Sequence, residues 1–183
     1  MGFNFLLLGV IILANPFHAA TDLIAAVIIA AATARAENML RDFNRARVFS
    51  YGLMGVSIAL LLCSYVIPSE LGAGIAEIWR YGLIIPIQIY LLSGISDFAM
   101  INENAELYDR AKRLHKPVYI FCILAAISEA VAIVWPTMRG IVIIARSAAS
   151  VVTAVLGAII HDCNKAVTNT APPEKTTDEE SPD

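Results

Sequence analysis

The sequence is short of charge. Asp, Glu, Lys and Arg make up 16% of its 183 residues, where an ordinary soluble domain carries about 25%. Such a composition excludes a disordered chain and disfavours a soluble globule. Cysteine is also scarce. Cys63, Cys122 and Cys163 are far apart and form no CxxC pair, so neither a disulfide framework nor a zinc site is indicated. The HExxH, GxSxG, P-loop and GxGxxG signatures are missing, and with them any reading as an enzyme or any call for a cofactor or metal. Basic residues do not alternate with aromatic ones on an exposed domain, so nucleic acid is not an expected partner. No Lys or Arg precedes Arg35. The apolar run Phe5–Ala14 therefore lacks the basic flank of a signal peptide.

Apolar side chains are abundant: 58% of residues are hydrophobic and the mean hydropathy is +0.68. The expected fold is all-α, a polytopic integral membrane bundle of about six segments, with the lipid bilayer as its first partner. A spanning helix needs about 20 mainly apolar residues. Val48–Ile67, Trp79–Ile101, Pro117–Trp135 and Gly140–Ile160 meet this easily. Pro16–Ala34 meets it if Asp22 sits near one surface. Gly2–Ala14 is short, covering roughly 20 Å, and is either a thinned span or a half-length, re-entrant one. Asn15-Pro16 ends it and predicts a new helix start, since Asn caps helices and Pro fits the first turn.

Positive charge fixes the expected orientation. Arg35, Arg41, Arg45, Arg47, Arg110, Lys112, Arg113, Lys116, Lys165 and Lys175 fall on one side, against Arg80 and Arg139 on the other. That bias places both termini in the cytoplasm and the connections 15–22, 68–78 and 136–139 outside, in a cell membrane. Residues 1–167 form the bundle. Residues 168–183 read as a disordered cytoplasmic tail, in which five acids oppose Lys175 for a net −4, leaving the bundle near +1.

Ionisable residues inside spans are costly and are functional candidates by default. Glu129 and Arg146 lie at equal distances from a short turn centred near Thr137, so they share a depth in the outer leaflet and are expected to pair. Each sits on a face of small residues, Cys122, Ala125, Ala126 and Ala132 for the first, Ser150, Thr153 and Gly157 for the second. Such faces pack against other helices. Two readings stand: an ion pair that pins the hairpin, or a ligand site in which Arg146 holds an anionic group and Glu129 a cationic group or proton. Asn15, His18 and Asp22 share a face at helical spacing and would rim the same cavity, with Glu70, Glu77 and Arg80 in the loop above. Asp97 is a further charge within a span. Pro86, upstream of it, removes a backbone hydrogen bond and with Gly94 forms a kink that serves either as a gating hinge or as packing. Gln88 points the other way and is expected to bond across to another helix.

A short repeat marks the cytoplasmic side. Glu37-Asn38 with Phe43-Asn44-Arg45-Ala46-Arg47 is echoed by Glu103-Asn104 with Tyr108-Asp109-Arg110-Ala111-Lys112, and more faintly by Asn164-Lys165-Ala166. Glu106 with Arg110 makes an acid-before-base pair at i,i+4. Arg45, Arg47, Arg110 and Lys112 would dock either a partner subunit or anionic lipid, or simply form solvated helix ends.

The opening pattern, from the short apolar helix through Asn15-Pro16 and Asp22 to Arg45-Ala46-Arg47, resembles small multi-pass membrane proteins of Gram-positive bacteria with no assigned activity. It departs from them at Leu23-Ile24, where a Pro is expected. The resemblance covers about the first 50 residues and implies no substrate or catalytic residue. Six spans in 19.8 kDa also look like the substrate-binding subunits of energy-coupling-factor transporters. That likeness implies a small-residue docking face, here Ala26, Ala30 and Ala34, for a membrane partner subunit or a second copy. The sequence thus supports binding or transport of a small solute through an outer-leaflet polar cavity. The alternative is a non-transporting scaffold or regulator that docks a partner through its basic helix ends.

Overall fold

A computed structural model describes residues 2–15, 19–36, 41–67 and 69–170. Every regular element among them is helical. They are α1 (Gly2–Leu13), α2 (Ala19–Ala36), α3 (Arg41–Tyr65), α4 (Glu70–Ile101), α5 (Ala105–Val134), a 3-10 turn at Pro136–Met138, and α6 (Arg139–Thr170). Four of them, α3 to α6, are long and apolar enough to cross a membrane. The first two are shorter: α1 has 12 residues, about 18 Å, and α2 has 18, about 27 Å.

Consecutive helices pack side by side and α1 closes the ring against α6, with α4 also reaching α6. In the most apolar 18-residue stretch of α4, 56% is buried, against 22% in α3, so α4 is the helix around which the others gather. The end bearing the α3–α4 and α5–α6 turns is called the upper end here, and the opposite end the lower.

The helices overrun the apolar runs expected from sequence, because polar flanks stay helical once capped. The residues 68–78, expected as a loop, are mostly α4. The Ser69 Oγ accepts from the Gly72 N–H at 3.1 Å, and Glu70 in the first turn complements the helix dipole. Glu70, Glu77 and Arg80 are therefore helical residues. Asn15 lies exposed after α1, its N–H bonded to the Ile12 carbonyl at 3.1 Å, and residues 16–18, where the new helix was expected to open, lie outside the described residues. His18 lies outside the described residues, as do Glu37, Asn38 and the chain from 171. The basic echo Asn164-Lys165-Ala166 belongs to α6, which continues to Thr170.

The two main copies of the basic repeat open α3 and α5. In each the alanine is buried, Ala46 between exposed Arg45 and half-buried Arg47, Ala111 between exposed Arg110 and Lys112. All four bases are engaged within the chain. Arg45 Nη1 lies 3.1 Å from Asp42 Oδ1, and Arg47 Nη2 donates to Asn44 Oδ1 at 2.8 Å. Arg110 turns to Asp162 of α6, at 2.6 Å, instead of to Glu106. Lys112 Nζ donates to the Tyr108 hydroxyl at 3.1 Å, which raises the ammonium pKa. Of the expected small-residue docking face, Ala26 and Ala30 are buried in the bundle, whereas Ala34 is exposed.

Between α4 and α5 the chain turns on a Schellman motif. The Asn104 N–H bonds to the Ala99 carbonyl at 2.8 Å and the Glu103 N–H to the Met100 carbonyl at 3.2 Å. Glu103 holds the left-handed position, with φ 54°. Asn104 then caps α5, its side chain accepting from the Leu107 N–H at 3.0 Å.

Three phenylalanines lock the lower end: Phe3 sits 6.1 Å from Phe43 and 5.5 Å from Phe98, centroid to centroid. The far end of the Phe43 ring packs against Gly94, where a Cβ would meet its Cζ at 3.0 Å. Gly94 is thus a close-packing position rather than a free hinge. Pro86 is accommodated within a continuous α4, and Asp97 is half-buried near its lower end. A Gly94→Val substitution is expected to cost about 1–3 kcal/mol by overpacking. Gly82→Val, on the same helix with open space around it, should leave the melting temperature in detergent unchanged. Equal effects of the two would refute the packing role.

Candidate solute-binding site

The site is built from the upper ends of α2, α4, α5 and α6. The 3-10 turn is centred on Thr137 and folds α5 back on α6, so Glu129 and Arg146 meet at one depth. Arg146 Nε donates to Glu129 Oε1 at 2.6 Å. Arg146 also reaches α4, its Nη2 lying 3.2 Å from Glu77 Oε1. Three residues further along α4, Arg80 Nη1 donates to Glu77 Oε2 at 3.2 Å. The same guanidinium forks onto Asp22 of α2: Nε lies 2.5 Å from Oδ2 and Nη2 donates to Oδ1 at 3.1 Å. The Tyr81 ring flanks it, 5.2 Å from the Arg80 Cζ.

The outcome is a continuous chain of charges, Asp22–Arg80–Glu77–Arg146–Glu129, alternating in sign across the bundle. Its inner members are the most deeply buried. Asp22 is 0% exposed and Arg80 3%. Burying charges is tolerable only when each is paired and hydrogen-bonded, which the fork geometry of arginine provides. Asp22 also lies in the first turn of α2, where the helix dipole favours an anion.

Beside this chain, α4, α5 and α6 part to leave an open cavity of about 700 Å³. Its apolar wall includes Leu71, Ala132, Ile133, Val142 and Ile143. Gly74 lets Ile133 lie against α4, since a Cβ there would come within 2.7 Å of the Ile133 Cγ1. Its polar wall is Glu77, Glu129 and Arg146, with Glu70 and Arg139 at the mouth. Those last two lie 3.7 Å apart and are largely exposed.

Below the charged layer the interior is polar but neutral. Gln88 Nε2 donates to Thr153 Oγ1 at 2.7 Å. The Thr153 hydroxyl donates to the Ala149 carbonyl at 2.9 Å, and the Cys122 thiol lies 3.9 Å from Gln88 Oε1. Cys122 and Thr153 are each seven residues from Glu129 and Arg146 along their helices, about 10 Å deeper. This layer joins α4, α5 and α6 as the sequence led one to expect of Gln88.

The structure thus brings Glu129 and Arg146 together on the cavity wall. Asp22 lies behind that wall, held by Arg80, and Asn15 and Asp97 are not among the lining residues. Two central members, Glu77 and Arg80, were assigned to a loop from sequence. Their i,i+3 spacing and the Ser69 cap upstream were the signals available. Comparison with known proteins finds no matching family model, no similar curated protein and no similar solved structure.

Removing one member of a buried pair strands the other, at a cost of about 3–5 kcal/mol. Asp22→Asn is expected to destabilise the protein by that order. Asp22→Asn combined with Arg80→Gln should cost clearly less than the sum of the two single changes. Glu70→Gln at the mouth, 93% exposed, should not shift the melting temperature. Additive single and double effects at Asp22 and Arg80 would refute the coupling.

Proposed function

We propose that the chain is a multi-pass membrane protein that binds and carries a small solute in the cavity between α4, α5 and α6. One observation carries this reading: an apolar cavity of about 700 Å³ ends on the charged side chains of Glu77, Arg146 and Glu129. A concave, mostly apolar pocket with a few converging polar groups is the usual form of a small-molecule site. Placement in a bilayer is supported by the four long apolar helices and by large side chains facing outward, among them Ile58, Leu62, Ile127, Ile144 and Val151. In water such a surface would drive association. Trp79 and Trp135 are exposed at the upper end, where an aromatic belt belongs. The concentration of Lys and Arg at the lower end supports an orientation with that end and both termini in the cytoplasm and the cavity facing outward.

The sequence offered Arg146 as a holder of anions. With carboxylates of Glu77 and Glu129 both on its guanidinium, its part in this reading is to fix those acids in place. For the scaffold alternative the structure adds only that Arg45, Arg47, Arg110 and Lys112 each have a partner within the chain.

Mild purification from native membranes, followed by mass spectrometry of small molecules, tests the reading. A retained metabolite is expected. Ala132→Phe, which fills the cavity from α5, should lose it while helix content and melting temperature hold. An equally loaded Ala132→Phe protein, or an empty wild type in a monodisperse preparation, would sink it.

A further inference from the structure

Among the described residues the charged chain does not balance. It contains three carboxylates, Asp22, Glu77 and Glu129, and two guanidiniums, Arg80 and Arg146. The mouth pair Glu70 and Arg139 is neutral in sum and leaves the difference unchanged. One negative charge is therefore in excess among these residues, and its place can be assigned. Asp22 has both oxygens on Arg80 and lies behind the cavity wall. Glu77 has one oxygen on Arg80 and the other on Arg146. Glu129 ends the chain on the cavity side, with Oε1 on Arg146. Its Oε2 has no donor among the described residues, although the residue is only 7% exposed.

A largely buried carboxylate with excess charge attracts a compensating cation, because solvent screens it from the cavity side alone. The pocket's chemistry decides which cation. A metal ion needs several oxygen or nitrogen ligands, and among the described residues no three His, Cys, Asp or Glu side chains converge to hold one. Most of the wall is apolar and suits a hydrocarbon or aromatic body. An anion would meet an excess of acid.

Resting on the solute-binding reading above, the geometry points to a monovalent organic cation with an apolar body as the ligand. Its positive centre lies against Glu129 and its body against Ala132, Ile133, Val142 and Ile143. Glu77 and Arg146 act as positioning residues that hold the Glu129 carboxylate toward the cavity.

The test uses two probes of one shape and opposite sign, tetraphenylphosphonium and tetraphenylborate. Radiolabelled binding is measured to the full chain in lipid nanodiscs, with empty nanodiscs subtracted. Saturable tetraphenylphosphonium binding is expected, about 100-fold tighter than any saturable tetraphenylborate binding, or about 2.7 kcal/mol. Glu129→Gln balances the chain and should weaken the cation at least about tenfold, about 1.4 kcal/mol. Glu129→Asp keeps the charge and should keep the preference. If Glu129→Gln does not fold, the wild-type preference between the two probes still decides. Tetraphenylborate binding as well or better, with Ala132→Phe abolishing it, would overturn the cation assignment and leave the solute-binding reading standing. Undiminished cation binding by a folded Glu129→Gln protein would overturn it too. Saturation by neither probe overturns the cation class, and the metabolite retained or absent in native preparations then decides the cavity reading separately.

Discussion

The upper half of this bundle depends on one guanidinium. Arg80 projects from α4 into an interior that offers it almost no water, so its donors must find acceptors within the protein. Asp22 meets it from α2, a helix that is not α4's neighbour in the ring. The fork between them therefore ties two helices whose backbones do not touch. The remaining donors draw in Glu77, and Glu77 in turn draws in Arg146 and Glu129. Helix positions at this end are set by charge satisfaction. At the lower end they are set by ring packing among Phe3, Phe43 and Phe98 and by a capped turn.

Two kinds of polar layer follow, with different properties. The Gln88 layer is closed: its amide donates to Thr153, its oxygen faces the Cys122 thiol, and Thr153 hands its own hydrogen to the helix backbone. Each polar heteroatom of the layer has a partner inside it, and the layer works as a spacer that fixes α4, α5 and α6 at one height. The ionic layer above it has the opposite character. It leaves capacity on the side facing the cavity, and that contrast separates an element of scaffold from a place where chemistry can occur.

Much of this was legible in the residues. Four apolar runs gave α3 to α6, and the short turn around Thr137 placed Glu129 opposite Arg146, because hairpin geometry equates distances from a turn. Gln88 declared itself as a lone amide on an apolar helix. The stretch from Glu70 to Arg80 was harder to read. Its two glycines and three charged residues lower its hydropathy, and an apolar-run criterion cannot tell a charge paired inside a bundle from one in a loop. Asp22 misled for a related reason. Its partner is 58 residues away, while the eye is drawn to neighbours within two helical turns, Asn15 and His18. Long-range pairing of buried charges leaves no local signature, so the site's outline could be sketched from sequence but its centre could not.

The sparse cysteines acquire a practical meaning. Cys122 is sealed in the Gln88 layer and Cys163, on α6, is buried in the bundle, whereas Cys63 is only half-buried. It lies at the upper end of α3, its Sγ 3.2 Å from where a Cβ on Gly72 of α4 would begin. The unmodified protein therefore has one partly exposed thiol, and it sits where α3 meets the start of α4. A fluorophore or spin label attached there would report on movement of α3 against α4 without any residue being changed.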